Sequence, residues 1–260
     1  VEFKRDMGKT KLVGQPDAKK ADGTPITPEF LSSKVLQKLS DRVNDEVFKS
    51  LVVTVPAMFE SGQVAATKRA AEMAGFEQIE ILMEPVAAAT AFAMQNIGKN
   101  GNWLIFDFGG GTFDASILKV DEGIMKVLAS DGDNRLGGGD LDRAIVNEIM
   151  IPEIEKENNL AGLDENQLKG IKRSLKLAAD KIKIELSFKD EVDYGSALNQ
   201  FGNDVDGNDI DLEYVFKKDD VHKLFLPYYQ KAIDFVKPLI ERAKLTINEI
   251  DELILVGGRS

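Results

Sequence analysis

The ten residues from Ile105 to Asp114, IFDFGGGTFD, set an aspartate on each side of three glycines and a threonine. Glycine loses more backbone freedom on folding than any other residue, so three in a row point to a need for bare backbone. One such need is the approach of backbone N–H groups to phosphate oxygens. Two familiar phosphate loops fail on spacing. The P-loop requires a lysine after its last glycine, and Thr112 follows Gly111 here. The dinucleotide loop opens a helix, whereas TFDASILKV at 112–120 alternates and is β-branched, the pattern of a strand. Strand, glycine hairpin, strand is what is left, and on the glycines alone a plain β-turn without ligand fits equally. The flanking acids favour a site. A carboxylate beside phosphate is repelled unless a cation lies between them, which makes Asp107 a candidate to hold hydrated Mg2+, an ion that prefers carboxylates and keeps its waters. A second acid, Glu84, lies between strand and helix just before Pro85, where the helix dipole stabilises a carboxylate. Taken alone, Glu84 reads as a helix cap.

These groups need elements to hold them. Residues 1–28 show little periodicity and read as two short strands or loops. Thr27-Pro28-Glu29 marks a helix start, followed by an apolar stripe of Phe30, Leu31, Val35, Leu39 and Val43. LVVTV at 51–55 predicts a strand stopped by Pro56, then a helix from about Gln63 to Ala74 closed by Gly75. IEILM at 79–83 is another strand, and Glu84-Pro85 opens a helix to about Ile97. This alternation predicts an α/β layer. After Asn100-Gly101 come WLIFDF, TFDASILKV and IMKVLASD, a meander with turns at the glycines and at Asp121-Glu122-Gly123. Helices are predicted over Leu141–Asn158, over Asn166–Leu186 with a stripe of Leu168, Ile171, Leu175, Ala179, Ile182 and Leu186, and over Asp219–Lys244, disturbed by Pro227 and Pro238. The polar stretch 187–213 holds short strands and an exposed turn. ELILVGG at 252–258 ends the chain as LIFDFGGG at 104–111 does, a strand meeting glycines, so the two junctions are expected to face one site.

Composition narrows the chemistry. The 260 residues carry a formal charge of −11, which argues against a nucleic-acid partner, whose phosphate backbone needs clustered Lys and Arg. An apolar fraction of 43% and a charged fraction of 30% are those of a soluble globular chain, with no membrane span or signal peptide in the pattern. Without cysteine there are no disulfides or thiolate metal sites, and a reducing compartment is permitted. The single histidine, His222, falls in a helical pattern and reads as a surface or packing residue. The chain begins with Val1, so a fragment is expected.

LVVTVPAMF, ATKRAAEMAGF, EPVAAATAFAM, LIFDFGGGTFDASIL, LGGGDLD and LILVGG, in that order, resemble the nucleotide-binding domain of the 70-kDa heat-shock chaperones of the DnaK type. The resemblance covers about Lys4 to Gly258 and points to a divergent bacterial member. It implies an α/β, actin/hexokinase-like ATPase fold: two lobes, each a mixed sheet flanked by helices, with a nucleotide cleft between them. The first lobe would be partial, 1–98 (small subdomain 1–49, core subdomain 50–98). The second would be 99–260, with its core subdomain at 99–136 and 227–260 and a small helical and strand subdomain at 137–226. Carried over by position, the resemblance makes Lys4 the catalytic lysine that helps place the attacking water and offsets γ-phosphate charge. Glu84 and Asp107 stand around the water shell of Mg2+. Gly109, Gly110, Gly111 and Thr112 form the second phosphate loop with Asp114 on its far side, and Thr112 helps orient water. Pro56 matches a proline that switches with nucleotide state. Gly137 and Gly138 lie near phosphates and ribose, and Gly257 and Gly258 form the adenosine loop.

Asp180, Lys183 and Ser187 share one face of their helix, at i, i+3 and i+7. Such a polar face is ordinarily solvated, but the resemblance assigns it to ribose and adenine. Four departures stand out. The family's first phosphate loop would precede Val1, Val64 replaces the arginine that relays the proline switch, and Gly139 replaces a glutamate. Ile184 replaces the arginine that stacks on adenine, with Arg259, where the family has serine, able to stack from the other side. The implied function is a chaperone motor that binds ATP or ADP with Mg2+ and hydrolyses ATP slowly, its nucleotide state controlling a peptide-binding domain outside this chain. A J-domain cochaperone, a nucleotide-exchange factor acting around 137–226 and, indirectly, unfolded clients are the implied partners, in the cytoplasm. The alternatives are a nucleotide-sensing pseudo-ATPase, motivated by Val64, and a small-molecule kinase of the same superfamily. The chain alone is expected to hydrolyse little ATP.

Overall fold

The computed structural model describes residues 3–12, 15–43 and 49–258. Packing groups them into two units, Val1–Arg135 with Asp234–Ser260, and Leu136–Ile233. No helix among the described residues is long and apolar enough to cross a membrane.

The first unit opens on a 3-10 turn, Phe3–Asp6. Isolated bridges, Leu12 with Gln15 and Lys19 with Pro25, then stand where short strands were one expectation. Helix α1 (Pro28–Ser40) starts where its signals predict: the Thr27 hydroxyl oxygen accepts from the Phe30 N–H at 3.1 Å and Pro28 takes the first turn. Its stripe is incompletely covered, with Val35, Leu39 and Val43 exposed, because α1 packs chiefly on the opening turn and the next helix. Strand β1 (Ser50–Val55) ends at Pro56, and α2 (Ser61–Met73) begins with a Glu60–Gln63 capping box and closes at Gly75 in the left-handed region. Strand β2 (Gln78–Met83) pairs parallel with β1, and α3 (Glu84–Gln95) follows at once. Strands β3 (Gly101–Phe108), β4 (Phe113–Asp121) and β5 (Ile124–Asp133) form the predicted antiparallel meander. Both Glu122 (φ 48°) and Gly123 (φ 83°) adopt positive φ at the β4–β5 turn, the arrangement whose twist suits a tight hairpin.

In the second unit α4 (Gly138–Ile145) passes through a π-helical turn, Val146–Met150, into the short α5 (Ile151–Ile154). One uninterrupted helix over Leu141–Asn158 is therefore corrected, and Pro152 is the cause. It has no N–H to give the Glu148 carbonyl and its ring crowds that group, so the π-turn absorbs the mismatch. Helix α6 (Glu165–Leu186) buries its expected stripe from Ile171 to Leu186, and β6 (Glu191–Gly195) pairs antiparallel with β7 (Glu213–Lys217). Helix α7 (Lys218–Asp234) contains Pro227 and carries an exposed His222. The break expected near Pro238 comes four residues earlier, at Asp234, the carbonyl that its ring would strike. Helix α8 (Val236–Arg242) and strand β8 (Glu252–Val256) return to the first unit.

The main sheet of that unit runs β5-β4-β3-β8, with β8 parallel to β3. Ala89 of α3 is buried against Trp103, Ile105, Leu118, Val120 and Ile254 on one face. On the other, Phe113 lies 4.8 Å from Phe106 and 5.7 Å from Phe235, ring centre to ring centre, and α8 packs on β4 and β5. Helix α3 also contacts β1 and β2, so it fixes its own first residue, Glu84, relative to both sheets.

Candidate phosphate and metal site

Side chains alternate along a strand, so Trp103, Ile105 and Asp107 share one face of β3. Their antiparallel partners are Leu118, Ser116 and Asp114. The first two pairs belong to the buried side of the sheet. The third opposes two carboxylates, which a sheet disfavours. Past Phe108 and Phe113 the turn closes with the Gly109 N–H donating to the Thr112 carbonyl at 2.9 Å. A Cβ on Gly109 would sit 3.2 Å from that oxygen, whereas one on Gly110 would meet nothing within 4 Å. The hairpin tip is thus open backbone.

Glu84 brings a third carboxylate to the pair, and the Lys4 ammonium reaches its Oε1 at 2.8 Å. Burial raises the Asp107 carboxyl above its ordinary value, Glu84 adds to the rise, and Lys4 opposes it. Asp114, only 6% exposed, is pushed up to about 6, first by burial and then by Glu84, with Asp107 adding to the rise. The Thr112 hydroxyl, donating to this carboxylate, and Lys4 pull the other way. Three acids crowded at one end of a sheet offer oxygen donors only, the chemistry of a hard dication. Among the described residues no three acidic or histidine side chains form a ready-made metal cage, and such a donor set suits an ion held through its waters.

Strand β8 brings the second glycine junction alongside, with Val256 opposite Asp107. Gly257 has φ +92°, and a Cβ there would fall 2.5 Å from the Phe108 carbonyl oxygen and 3.0 Å from an Asp107 oxygen. Only glycine fits this contact, and the two junctions anticipated from their shared pattern do lie side by side. A Cβ on Gly258 would meet nothing, and Arg259 lies outside the described residues. The sequence did not single out Arg5, whose Nε donates to the Gly111 carbonyl at 2.7 Å, joined by its Nη2. No spacing rule reveals a contact between residues 106 positions apart.

The other candidates belong to the second unit. Gly137 caps α4 in an extended conformation and Gly138 begins the helix. The Lys183 ammonium donates to the Gly138 carbonyl at 3.1 Å, pairs with the Asp142 carboxylate and lies 3.3 Å from Asp180. At 5% exposure Lys183 is no part of a solvated stripe. Its partner Asp142 was given no role by the sequence, although it closes the LGGGDLD stretch at 136–142. Ser187 is the exposed C-cap of α6, its hydroxyl donating to the Lys183 carbonyl at 3.3 Å. Of the positions that depart from the family pattern, Ile184 is exposed, Val64 is half-buried on α2 and Gly139 is buried in α4. Pro56 is buried at the end of β1.

A family model described as Hsp70 protein matches residues 7–260. The chaperone protein DnaK of Thermotoga petrophila is 35% identical over 259 residues, which span 98% of this chain and 41% of that protein. The chain thus covers less than half the length of this curated relative.

Proposed function

The chain belongs to the Hsp70 protein family, whose domain has the actin/hexokinase-like ATPase fold, and from that premise we propose that it binds ATP with Mg2+ and hydrolyses it slowly to ADP and phosphate. The observation that carries this reading is the meeting of Glu84, Asp107 and Asp114 with Lys4 beside a hairpin of bare glycine backbone. When bound, Mg2+ would supply the positive charge that lets phosphates approach these acids. Asp107 and Glu84 are the residues that would hold it through its waters. Gly109, Gly110 and Gly111 present backbone to the phosphate oxygens with no side chain in the way. The Thr112 hydroxyl spends its proton on Asp114, which leaves its lone pairs to orient a water. Lys4, steered by Glu84, offsets charge that develops on the transferred phosphoryl group. Catalysis is then mostly placement and electrostatics, as expected for phosphoryl transfer.

The ribose and adenine roles of Gly137, Gly138, Asp180, Lys183, Ser187, Gly257, Gly258 and Arg259 belong to the same proposal, as do the lobes 1–98 and 99–260. So do a chaperone role and a cytoplasmic location. The nucleotide state would bias a peptide-binding domain elsewhere in the full-length protein, with a J-domain cochaperone, a nucleotide-exchange factor and unfolded clients as partners. The test is ATP turnover by the full-length protein. Lys4→Ala should lower turnover about 10²-fold or more and leave ADP binding in place. Full turnover in that variant would remove Lys4 from the mechanism, and a wild-type protein that binds no ATP would remove the function.

A further inference from the structure

We propose that Arg5 is a positioning residue for the phosphate hairpin, gripping the Gly111 carbonyl so that the Thr112 N–H is aimed at the bound phosphate. The inference rests on the functional reading above and concerns how the hairpin keeps one conformation.

Three consecutive glycines leave a turn free to adopt many conformations. The backbone bond across this turn runs from the Gly109 N–H to the Thr112 carbonyl, and it leaves the peptide between Gly111 and Thr112 to be fixed by other means. Gly110 is exposed, and a Cβ on it would touch nothing within 4 Å, so packing does not hold the tip. Arg5 supplies the missing restraint. Its Nε and Nη2 both donate to the Gly111 oxygen, a charge-assisted contact from two arms of a rigid fork. A trans peptide is planar, with its C=O and N–H pointing in opposite directions. Holding the Gly111 oxygen towards Arg5 therefore turns the Thr112 N–H away from Arg5. A donor fixed in advance binds an anion more tightly than one that must first be ordered.

The position of Arg5 in the chain adds a second consequence. Phe3–Asp6 is one 3-10 turn, and it delivers Lys4 to Glu84 and Arg5 to Gly111. The catalytic lysine and the phosphate hairpin are thereby tied to the same short segment. A lysine at position 5 would offer a point charge without the fork and would fix the peptide less well.

The test uses the full-length protein with Arg5→Met and Arg5→Lys. Affinities for ADP and for adenosine are compared, and amide hydrogen exchange is followed at residues 110–112 without nucleotide. Arg5→Met should weaken ADP by about tenfold, the loss of a hydrogen bond from a charged group, and leave adenosine unchanged. Exchange at 110–112 should quicken, and Arg5→Lys should fall between. Unchanged ADP affinity overturns the proposal. So does an equal loss for ADP and adenosine with faster exchange across the whole first unit, since that marks a general staple. Wild-type protein that binds no ADP would instead overturn the functional reading, and the exchange experiment, which needs no ligand, would still decide what Arg5 holds.

Discussion

Replacing Asp114 by asparagine should stabilise the nucleotide-free protein at neutral pH while weakening its hold on Mg2+–ADP. Asp114 is 6% exposed, and its carboxyl is pushed from 3.8 up to about 6, by burial first and by Glu84 next. Between these two values the folded protein keeps a proton that the unfolded chain has released, so stability falls as pH rises through the window. The contribution of that proton is complete below 3.8 and lost once the pH passes about 6. At ~1.4 kcal/mol per pH unit, the ionised carboxylate costs the fold roughly 3 kcal/mol at pH 7.5. Asparagine cannot ionise, and its Oδ1 still accepts the Thr112 hydroxyl. Its amide N–H groups need partners of their own, which trims the expected gain to about 1–3 kcal/mol. Amide exchange along the β3–β4 ladder of the full-length protein, without nucleotide, reads the gain directly. It should shrink by about 1.4 kcal/mol between pH 7.5 and pH 5, because pH 5 lies one unit below the folded value. Equal gains at the two pH values, or a variant less stable than wild type at pH 7.5, would refute the claim that burial, with Glu84 beside it, raises this carboxyl.

Mg2+–ADP binding should release protons near pH 6, about half a proton from Asp114 alone, because a cation beside the acids favours their ionised form. Calorimetry in buffers of different ionisation enthalpy measures the release, and none at all would place the cation elsewhere. Gly257→Ala puts a Cβ 2.5 Å from the Phe108 carbonyl oxygen at φ +92° and should cost about 2 kcal/mol or more, whereas Gly258→Ala, with nothing in reach, should stay within about 0.5 kcal/mol in thermal unfolding. Lys183→Met leaves Asp142 buried without its ammonium and should cost about 3–5 kcal/mol in the second unit, while adding Asp142→Leu should recover much of the loss. A double variant no better than the single one would mean that the pair is not the source.

Elements announced by their own ends were legible in the sequence. Thr27-Pro28 and Glu84-Pro85 each open a helix, and the glycines closed the β3–β4 turn where the alternation broke, whereas the Glu60–Gln63 capping box, which starts α2 at Ser61, was not read. The prolines were harder to read, because their effect falls on a carbonyl four residues earlier. Pro152 yields a π-turn and Pro238 a break, whereas Pro227 stays inside α7. The site divides in the same way. Asp107, Asp114 and the glycines lie in one hairpin and could be read together. Lys4 and Glu84 are 80 positions apart, and Lys183 and Asp142 are 41 apart. Nothing local records such pairings. The resemblance supplied a role for Lys4 and for Lys183 by position, but Arg5 and Asp142, to which it assigned no role, emerged only from geometry.

The sheet register explains why an unfavourable pair of acids survives in a stable strand pairing. Trp103 opposite Leu118 and Ile105 opposite Ser116 sit on the same face as Asp107 opposite Asp114, further from the turn. Those inner residues are almost wholly buried, and Trp103 packs edge-on against Phe92 of α3 with ring centres 5.2 Å apart. Apolar burial of that kind far exceeds what two repelling carboxylates cost, so the repulsion is carried without loss of register. It is also confined to the end of the face where α3 begins, and there Glu84 adds a third negative charge. Sequences chosen for stability alone would place a neutral or opposite charge in at least one of these three positions. Local rules broken together at one end of an otherwise consistent sheet are what the proposed Mg2+ site would account for, since one dication there would relieve all three acids at once.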